Sequence, residues 1–240
     1  MNIKISDSAV KYILFQRTKY LIYQNNKWLN KIVIRIPFLT YNRMVLFEAW
    51  LFKSRIKRLF SEDMEREYES IKKYLPENPS LVLDIGCGVA GIDVMLAHHY
   101  DKAGKKIDLY LLDKTELNKK VFYGLEKTAA YYNSLEIARN LLILNKVEKQ
   151  NIHTQEATGH PIFPGKKFDL IISLVSWGFH YPVETYLDEV YEKLSPDGTL
   201  IIDIRKGTNG EKIIEKKFGT KTQFITNERK RCRAIIKKKI

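Results

Sequence analysis

This chain of 240 residues is poor in cysteine and contains no long apolar run. Its two cysteines, Cys87 and Cys232, lack the spacing of zinc ligands, so we expect no metal site and a reducing compartment such as the cytoplasm. No stretch approaches the length of a membrane span. We also expect no secretory signal, because the first residues lack an apolar segment followed by a cleavage site. The composition favours one globular domain of ordinary size with an N-terminal appendage.

Acidic residues are scarce at both ends of the chain. Residues 1–60 contain 12 Lys/Arg against 2 Asp/Glu, and residues 205–240 contain 13 against 3. Residues 61–204 are mildly acidic, with 16 against 23. Two explanations carry equal weight: the basic ends contact phosphate-bearing partners, or they form a solvated lysine-rich surface.

The segment Ser80–Gly91 is typical of a nucleotide-binding turn. An apolar run ends at Asp84, and Gly86, Gly88 and Gly91 follow before a helical pattern resumes. Glycine is favoured where the backbone takes a positive φ or where a ligand approaches closely. The pattern therefore predicts a buried strand that turns sharply into a helix, with bare backbone amides facing a small ligand.

Two carboxylates indicate what kind of ligand this is. The apolar run Ile107–Leu112 ends at Asp113, where nucleotide-binding βαβ units hold an acid that accepts hydrogen bonds from a ribose. Asp84 lies in the glycine turn itself, where a carboxylate would repel a pyrophosphate. The pair disfavours a dinucleotide and favours a ligand with an ammonium or sulfonium group near its ribose.

These motifs resemble those of class I S-adenosylmethionine (SAM)-dependent methyltransferases. Asp84–Gly88 with Gly91 resembles the family's first motif, and Asp113 matches its ribose-binding acid. Further motifs follow in the family's order: Tyr132–Arg139 is similar to the next helix, Glu156–Ala157 to the adenine-site loop, Phe168–Ser173 to the fourth strand and Leu194–Ile202 to the turn into the fifth.

The resemblance implies an α/β, Rossmann-like fold over residues 61–240, with a mostly parallel seven-stranded sheet whose last strand is antiparallel. It implies SAM as the cofactor and S-adenosylhomocysteine as its product. An unrelated Rossmann-like binding domain is the alternative. The cofactor-binding residues that the resemblance implies are Asp84, Gly86, Cys87, Gly88, Gly91, Asp113, Glu156, Ala157 and Ser173.

The segment Ser176–Pro182 follows the fourth predicted strand and is the candidate acceptor site, because ligands of open sheets bind beyond the carboxyl ends of the strands. His180 is the best-placed base for a hydroxyl acceptor, and a packing role is its alternative. Asp203 and Arg205 end the fifth strand, where they would bind the acceptor or form a surface salt bridge. The candidate acceptor-binding residues are Trp177, Phe179, Tyr181, Asp203 and Arg205.

Residues 1–60 are predicted to be a basic, aromatic-rich helical extension that covers the acceptor side of the site. Met44–Phe60 has a helical period, and Ser61 is expected to cap a second helix. The aromatics Trp28, Phe38, Tyr41, Phe47 and Trp50 are expected to be buried on the sheet, leaving Lys53, Arg55, Lys57 and Arg58 near an incoming phosphate. The insertion 114–131, which includes Lys119–Gly124, is either a lid or a longer first helical turn.

The leading hypothesis is a methyltransferase acting on a hydroxyl of a sugar, glycan or other small acceptor, phosphate-bearing or lipid-linked, with peripheral contact to an anionic inner membrane face. The chain lacks the Asn/Asp-Pro-Pro-Tyr/Phe pattern of amino-methylating enzymes and a cysteine nucleophile for ring carbons. Ser176–Pro182 and Ile202–Gly207 resemble methyltransferases of bacterial surface polysaccharide synthesis. A cap- or tRNA-type RNA methyltransferase is the second hypothesis, and a non-catalytic SAM-binding scaffold the third.

Overall fold

The computed structural model describes residues 3–36, 38–117, 132–159 and 161–238. Its helices flank one central sheet. They are α1 (Asp7–Gln16), α2 (Ile22–Asn25), α3 (Lys27–Arg35), α4 (Tyr41–Leu51), α5 (Lys53–Ile71), α6 (Gly91–Lys102), α7 (Leu135–Leu144), α8 (Leu187–Lys193) and α9 (Gly210–Phe218).

The sheet has seven strands in the order β5-β2-β1-β6-β8-β10-β9. The pairs from β5 to β8 are parallel, whereas β10 is antiparallel to both β8 and β9. This confirms the predicted Rossmann-like α/β fold with an antiparallel last strand. The strands of this sheet are β1 (Leu81–Ile85), β2 (Asp108–Asp113), β5 (Ile152–Glu156), β6 (Phe168–Ser173), β8 (Leu194–Arg205), β9 (Gln223–Asn227) and β10 (Arg231–Lys237). Two short strands, β3 (Glu116–Leu117) and β4 (Tyr132–Asn133), pair separately. A further extended segment, β7 (Ser176–Tyr181), lies beside β8.

Apolar clusters cover both faces of the sheet, which explains why the central strands are continuous hydrophobic runs. One cluster joins α1, α5, α6 and α7, and the other joins β7, α8 and α9. Helix α1 contributes Ala9, Val10, Ile13 and Leu14, each at most 1% exposed, to the first cluster. The N-terminal segment is thus part of the main core.

The predicted helix boundary at Ser61 is wrong. Ser61 lies inside α5, because buried residues recur at one helical period through Ile56, Phe60 and Met64. The boundary between the two helices lies earlier, at Phe52, where α4 ends and α5 begins. Division of the chain at residue 60 would therefore cut a continuous helix.

The predicted burial of the N-terminal aromatics is also wrong for most of them. Tyr41 is half-buried and its ring lies 5.9 Å from that of Phe15. Lys53 and Lys57, which were expected to lie near an incoming phosphate, form ion pairs with Asp7. Four aromatics are more than half exposed: Trp28, Phe38, Phe47 and Trp50.

Helix α7 follows the insertion. Ser134 caps it by accepting a hydrogen bond from the backbone N–H of Ile137. The proposed lid segment Lys119–Gly124 lies outside the described residues.

Candidate active site

The turn between β1 and α6 has the geometry that its glycines predict. Gly86 has φ +77° and Gly88 has φ +57°, both in the left-handed region that residues with a Cβ rarely adopt. The backbone N–H of Gly86 donates to the carbonyl of Leu112 at 2.7 Å, which ties the turn to β2. The turn thus lies at the carboxyl ends of β1 and β2.

The space in front of these glycines is occupied by side chains from distant segments. A Cβ on Gly86 would clash with Ser176, and one on Gly88 would lie 2.7 Å from Oε1 of Gln16. Gly91, predicted as a cofactor residue, begins α6 and permits Phe60 of α5 to pack closely. Glycine is thus required at position 91 by helix packing as well as by the turn.

Three carboxyl groups lie under this turn: Asp84, Asp93 and Asp113. Burial raises the pKa of Asp84 well above its usual value, and the neighbouring carboxylates of Asp93 and Asp113 raise it further. Burial also raises the pKa of Asp93 to about 7 and that of Asp113 to about 6. Within the described part of the chain, no ion pair joins any of the three to a lysine or arginine. The group is therefore electrostatically suited to a cationic ligand.

Asp113 is held in place by the backbone around it. Its Oδ2 accepts the N–H of Gly88 at 2.8 Å, and its Oδ1 accepts the N–H of Lys114 at 2.7 Å. Its carbonyl accepts the N–H of Ala157 at 2.8 Å. Asp113 thus connects the glycine turn to the end of β5, where the resemblance implied the adenine loop.

A cavity of about 660 Å³ opens at the carboxyl ends of the strands. This volume is within the usual range for small-molecule sites, about 300–1,000 Å³. The cavity is lined by ten of the predicted site residues: Asp84, Gly86, Cys87, Gly88, Gly91, Asp113, Ala157, Phe179, His180 and Tyr181.

The wall opposite the glycine turn is aromatic. Phe179 and His180 form an edge-to-face pair with ring centroids 5.0 Å apart, and Tyr181 packs edge-to-face on Tyr186 at 6.1 Å. The hydroxyl of Tyr181 would lie 3.8 Å from a Cβ built on Gly86, so this wall reaches the glycine turn. The cavity is therefore lined by both the imidazole of His180 and the carboxyl groups of Asp84 and Asp113.

Five predicted site residues do not line this cavity. Ser173 is fully buried, and its hydroxyl donates to the carbonyl of Ile85 at 2.7 Å. Trp177 is also fully buried, with its indole N–H donating to the carbonyl of Val183 at 2.8 Å. Glu156 is exposed and accepts the N–H of Thr115. Ser173 and Trp177 are thus part of the buried core behind the cavity, and Glu156 lies at the exposed end of β5.

Asp203 and Arg205 support the wall and do not line the cavity. Arg205 donates from Nε to the carbonyl of Phe179 at 2.8 Å, and its guanidinium lies 4.6 Å from the centre of that ring. Asp203 is fully buried and accepts the backbone N–H of Val175, whose φ of +55° is unusual for a β-branched residue. Both therefore fix the segment that leads to His180.

The surface salt bridge weighed for Asp203 is instead a buried network. Arg233 donates from Nε to Asp203 at 2.7 Å and from Nη2 to Glu67 at 2.5 Å. Arg231 donates to Asp203 at 2.8 Å and to Glu67 at 3.1 Å. The paired guanidiniums outweigh the effect of burial and lower the pKa of Glu67. The network joins α5, β8 and β10, and its members Glu67 and Arg231 reach the cavity lining.

Sequence reasoning missed the cationic part of the cavity lining. Arg17 and Lys19 reach it from the end of α1, and Arg229 and Lys230 reach it from the turn between β9 and β10. Their only signal in the sequence is the basic character of both ends, which predicts a charge and not a position. Gln16, at the end of α1, was not predicted either. It lines the cavity above the glycine turn, and its amide donates a hydrogen bond to Asn133 at 3.5 Å.

Comparison with solved structures relates this fold to methyltransferases. No protein-family model matches the sequence, and no curated protein is similar enough to count as a relative. A methyltransferase from Pyrococcus furiosus is 17% identical with a TM-score of 0.50, over 74% of this chain and 83% of the other. A putative O-methyltransferase from Nostoc punctiforme is 14% identical with a TM-score of 0.52, over 80% and 60%.

A nucleic-acid enzyme is equally similar. The 16S rRNA N2 G1207 methyltransferase of T. thermophilus, solved with AdoMet and guanosine, is 15% identical with a TM-score of 0.50, over 71% of this chain and 41% of the other. Identities this low relate folds and not acceptors. The chain has the Rossmann-like fold of the class I methyltransferases.

Proposed function

We propose that this chain is a SAM-dependent methyltransferase that O-methylates a small hydroxylated acceptor, such as a sugar or glycan with a negatively charged substituent. One observation carries the proposal. A single small cavity joins a glycine turn to a wall that contains a histidine, and the buried carboxyls under the turn form no ion pair among the described residues. The methyltransferase folds of the structural neighbours support it.

The residues at the glycine turn fit the cofactor. Asp84, with its raised pKa, would be stabilised as an anion by the ammonium of the methionine portion. Asp113 and Ala157 at the ends of β2 and β5 would hold the ribose and adenine, and Cys87 would pack beside them. Gln16 lies over Gly88 and would contact or yield to the bound molecule. When bound, SAM supplies a methyl group that is activated by its positive sulfur.

His180 is the proposed general base. A sugar hydroxyl loses its proton as the new C–O bond forms, so a neutral imidazole nitrogen within reach would accept that proton. Phe179 and Tyr181 would hold the acceptor's carbon skeleton against the wall and limit the access of water. Arg205 keeps Phe179 in position through its hydrogen bond and its guanidinium stacking.

The charge of the remaining lining favours an anionic acceptor. Arg17, Lys19, Arg229, Lys230 and Arg231 contribute cations. Lys19 is paired with Asp63 at 2.6 Å, and Arg231 is paired with Glu67 and Glu228, the two glutamates of the lining. A phosphate or carboxylate on the acceptor would complement the other three. This supports a phosphorylated sugar or a lipid-linked glycan, whose carrier would bring the protein to a membrane surface.

RNA methylation is the second candidate, supported by the exposed Arg229 and Lys230 at the cavity mouth. A basic turn beside the pocket could follow a phosphate backbone. The two candidates differ in acceptor, so release of S-adenosylhomocysteine should be measured with phosphorylated sugars, lipid-linked glycans and total RNA. We expect turnover with the small or lipid-linked acceptors; turnover with RNA alone would overturn the small-acceptor proposal.

The base is tested with the acceptor found in that panel. His180→Ala should lower kcat by about two to four orders of magnitude, because proton removal from a hydroxyl is lost. SAM affinity measured by calorimetry should be unchanged. His153→Gln is the control, since His153 stacks on Tyr110 and does not line the cavity. Normal turnover by His180→Ala would return His180 to a packing role.

A further inference from the structure

Helix α4 exposes an apolar face. Leu46, Phe47, Trp50 and Leu51 are each about half exposed or more, and Trp50 reaches 70%. They recur at one helical period, so they share the side of α4 opposite to the buried residue Val45. The rings of Phe47 and Trp50 lie 6.4 Å apart, which makes the face continuous. An outward apolar stripe of this kind marks an interaction surface.

Helix α3 adds cations and a second exposed tryptophan to this region. Leu29 and Val33 pack on the core, whereas Trp28, Lys31 and Arg35 face outwards. Trp28 is 68% exposed, and Phe38, which follows the helix, is 63% exposed. Exposed aromatic side chains therefore occur on both helices and on the segment between them, and α3 adds the exposed cations Lys31 and Arg35.

The same region exposes no acid among its described residues. Glu48 is the only Asp or Glu between Lys27 and Lys53. Its carboxylate is 3% exposed and accepts the backbone N–H groups of Ile22 at 2.7 Å and Tyr23 at 2.8 Å. An anionic partner would thus meet cations without facing a competing negative charge.

We infer that the exposed face of α3 and α4 is a membrane-docking surface for an anionic lipid bilayer. Aromatic and aliphatic side chains enter the region between headgroups and acyl chains, while cations contact the lipid phosphates. In the described part of the chain no helix is long and apolar enough to cross a membrane. This names the surface for the membrane contact of the proposed function, and rests on it.

The docking surface is connected to the cavity. Tyr41, at the start of α4, packs on Phe15, which lines the cavity, and Glu48 holds the segment that follows α1. The helix that carries the exposed apolar face therefore packs, at its first residue, on the lining of the cavity.

The surface is tested by co-sedimentation with vesicles of phosphatidylcholine, alone or mixed with phosphatidylglycerol, using the full chain without cofactor or acceptor. We expect binding to the mixed vesicles only. Trp28→Ala combined with Trp50→Ala should lower the affinity by about tenfold per tryptophan, since each loses its buried apolar area. Lys31→Gln combined with Arg35→Gln should lower it by about fivefold per charge.

Matched controls come from other exposed positions. Phe224→Ala changes an aromatic that is 47% exposed on β9, and Lys212→Gln with Lys216→Gln removes two exposed cations from α9. We expect these variants to bind vesicles like the unchanged protein. Equal losses in both sets would overturn the docking surface, as would the absence of vesicle binding. A tryptophan-dependent dimer or RNA complex in place of vesicle binding would overturn it too. None of these results bears on methyl transfer, which needs no vesicle.

Discussion

Two groups of buried carboxylates lie beside the same cavity and differ in their partners. Asp84, Asp93 and Asp113 sit under the glycine turn without a cation among the described residues, and burial raises the pKa of each. Asp203 is fully buried behind the aromatic wall and the partly buried Glu67 reaches the cavity lining, and two arginines hold both carboxylates. Similar burial thus produces opposite electrostatics on the two sides of the cavity.

The difference separates structural support from readiness for a ligand. A buried carboxylate paired with a guanidinium is satisfied within the protein and fixes the elements that carry it. A buried carboxyl without a cation is costly when ionised, so it stays protonated or recruits a positive ligand. The glycine-turn group therefore leaves a charge to be supplied on binding, whereas the arginine network leaves none.

Removal of Asp203 should produce the largest effect. Asp203→Ala leaves the fully buried Arg233 without its bidentate partner, and loss of one member of a buried pair costs about 3–5 kcal/mol. The free energy of unfolding, measured with urea, should fall by that amount. Asp188→Ala is the control, because the Asp188 carboxylate is 83% exposed in its pair with Lys217 and should contribute little. A loss equal to that of the control would contradict a structural role for the network.

The contrast between the two groups also explains what the sequence could predict. The glycine turn, Asp84 and Asp113 follow local patterns of strand and turn, so their positions could be read directly. Asp203 meets Arg233 only because β10 inserts antiparallel beside β8, with these two residues in register. No local pattern gives a register between strands 30 positions apart, so the sequence did not indicate that Asp203 would be enclosed by two arginines.

The N-terminal region illustrates the same limit. A helical period predicted that α4 would bury its aromatics, since apolar faces usually pack inwards. Which face packs depends on Val45 and Glu48, and the Glu48 carboxylate turns inwards to accept the backbone N–H groups of Ile22 and Tyr23. A hydropathy pattern places a glutamate on the solvent side of a helix, so it gives no sign that the Glu48 side of α4 packs inwards.

The pH dependence of stability should show the second largest effect. Burial raises the pKa of Asp93 to about 7 in the folded protein, whereas in the unfolded chain this carboxyl ionises near its usual 3.8. Between these values the folded state binds more protons, so the free energy of unfolding should fall as the pH rises. Asp93→Asn should reduce the fall between about pH 5 and pH 7 by about 2–3 kcal/mol. Urea unfolding at several pH values measures this, and an unchanged slope in the variant would place the proton elsewhere.

The smallest effect is expected in cofactor binding. If the ammonium of SAM faces Asp84, binding favours the ionised carboxylate and releases its proton, because burial and the nearby carboxylates raise its pKa in the free protein. Affinity should therefore rise with pH, by up to about tenfold per pH unit below that pKa, and level off above it. Calorimetry in two buffers of different ionisation enthalpy counts the released proton directly. Asp84→Asn cannot release one, so it should bind more weakly and without this pH dependence. Asp203→Asn, measured where it remains folded, should keep the dependence, because its network already has its cations. If Asp84→Asn still releases a proton when SAM binds, the ammonium faces Asp93 or Asp113, and Asp84 does not have the proposed role.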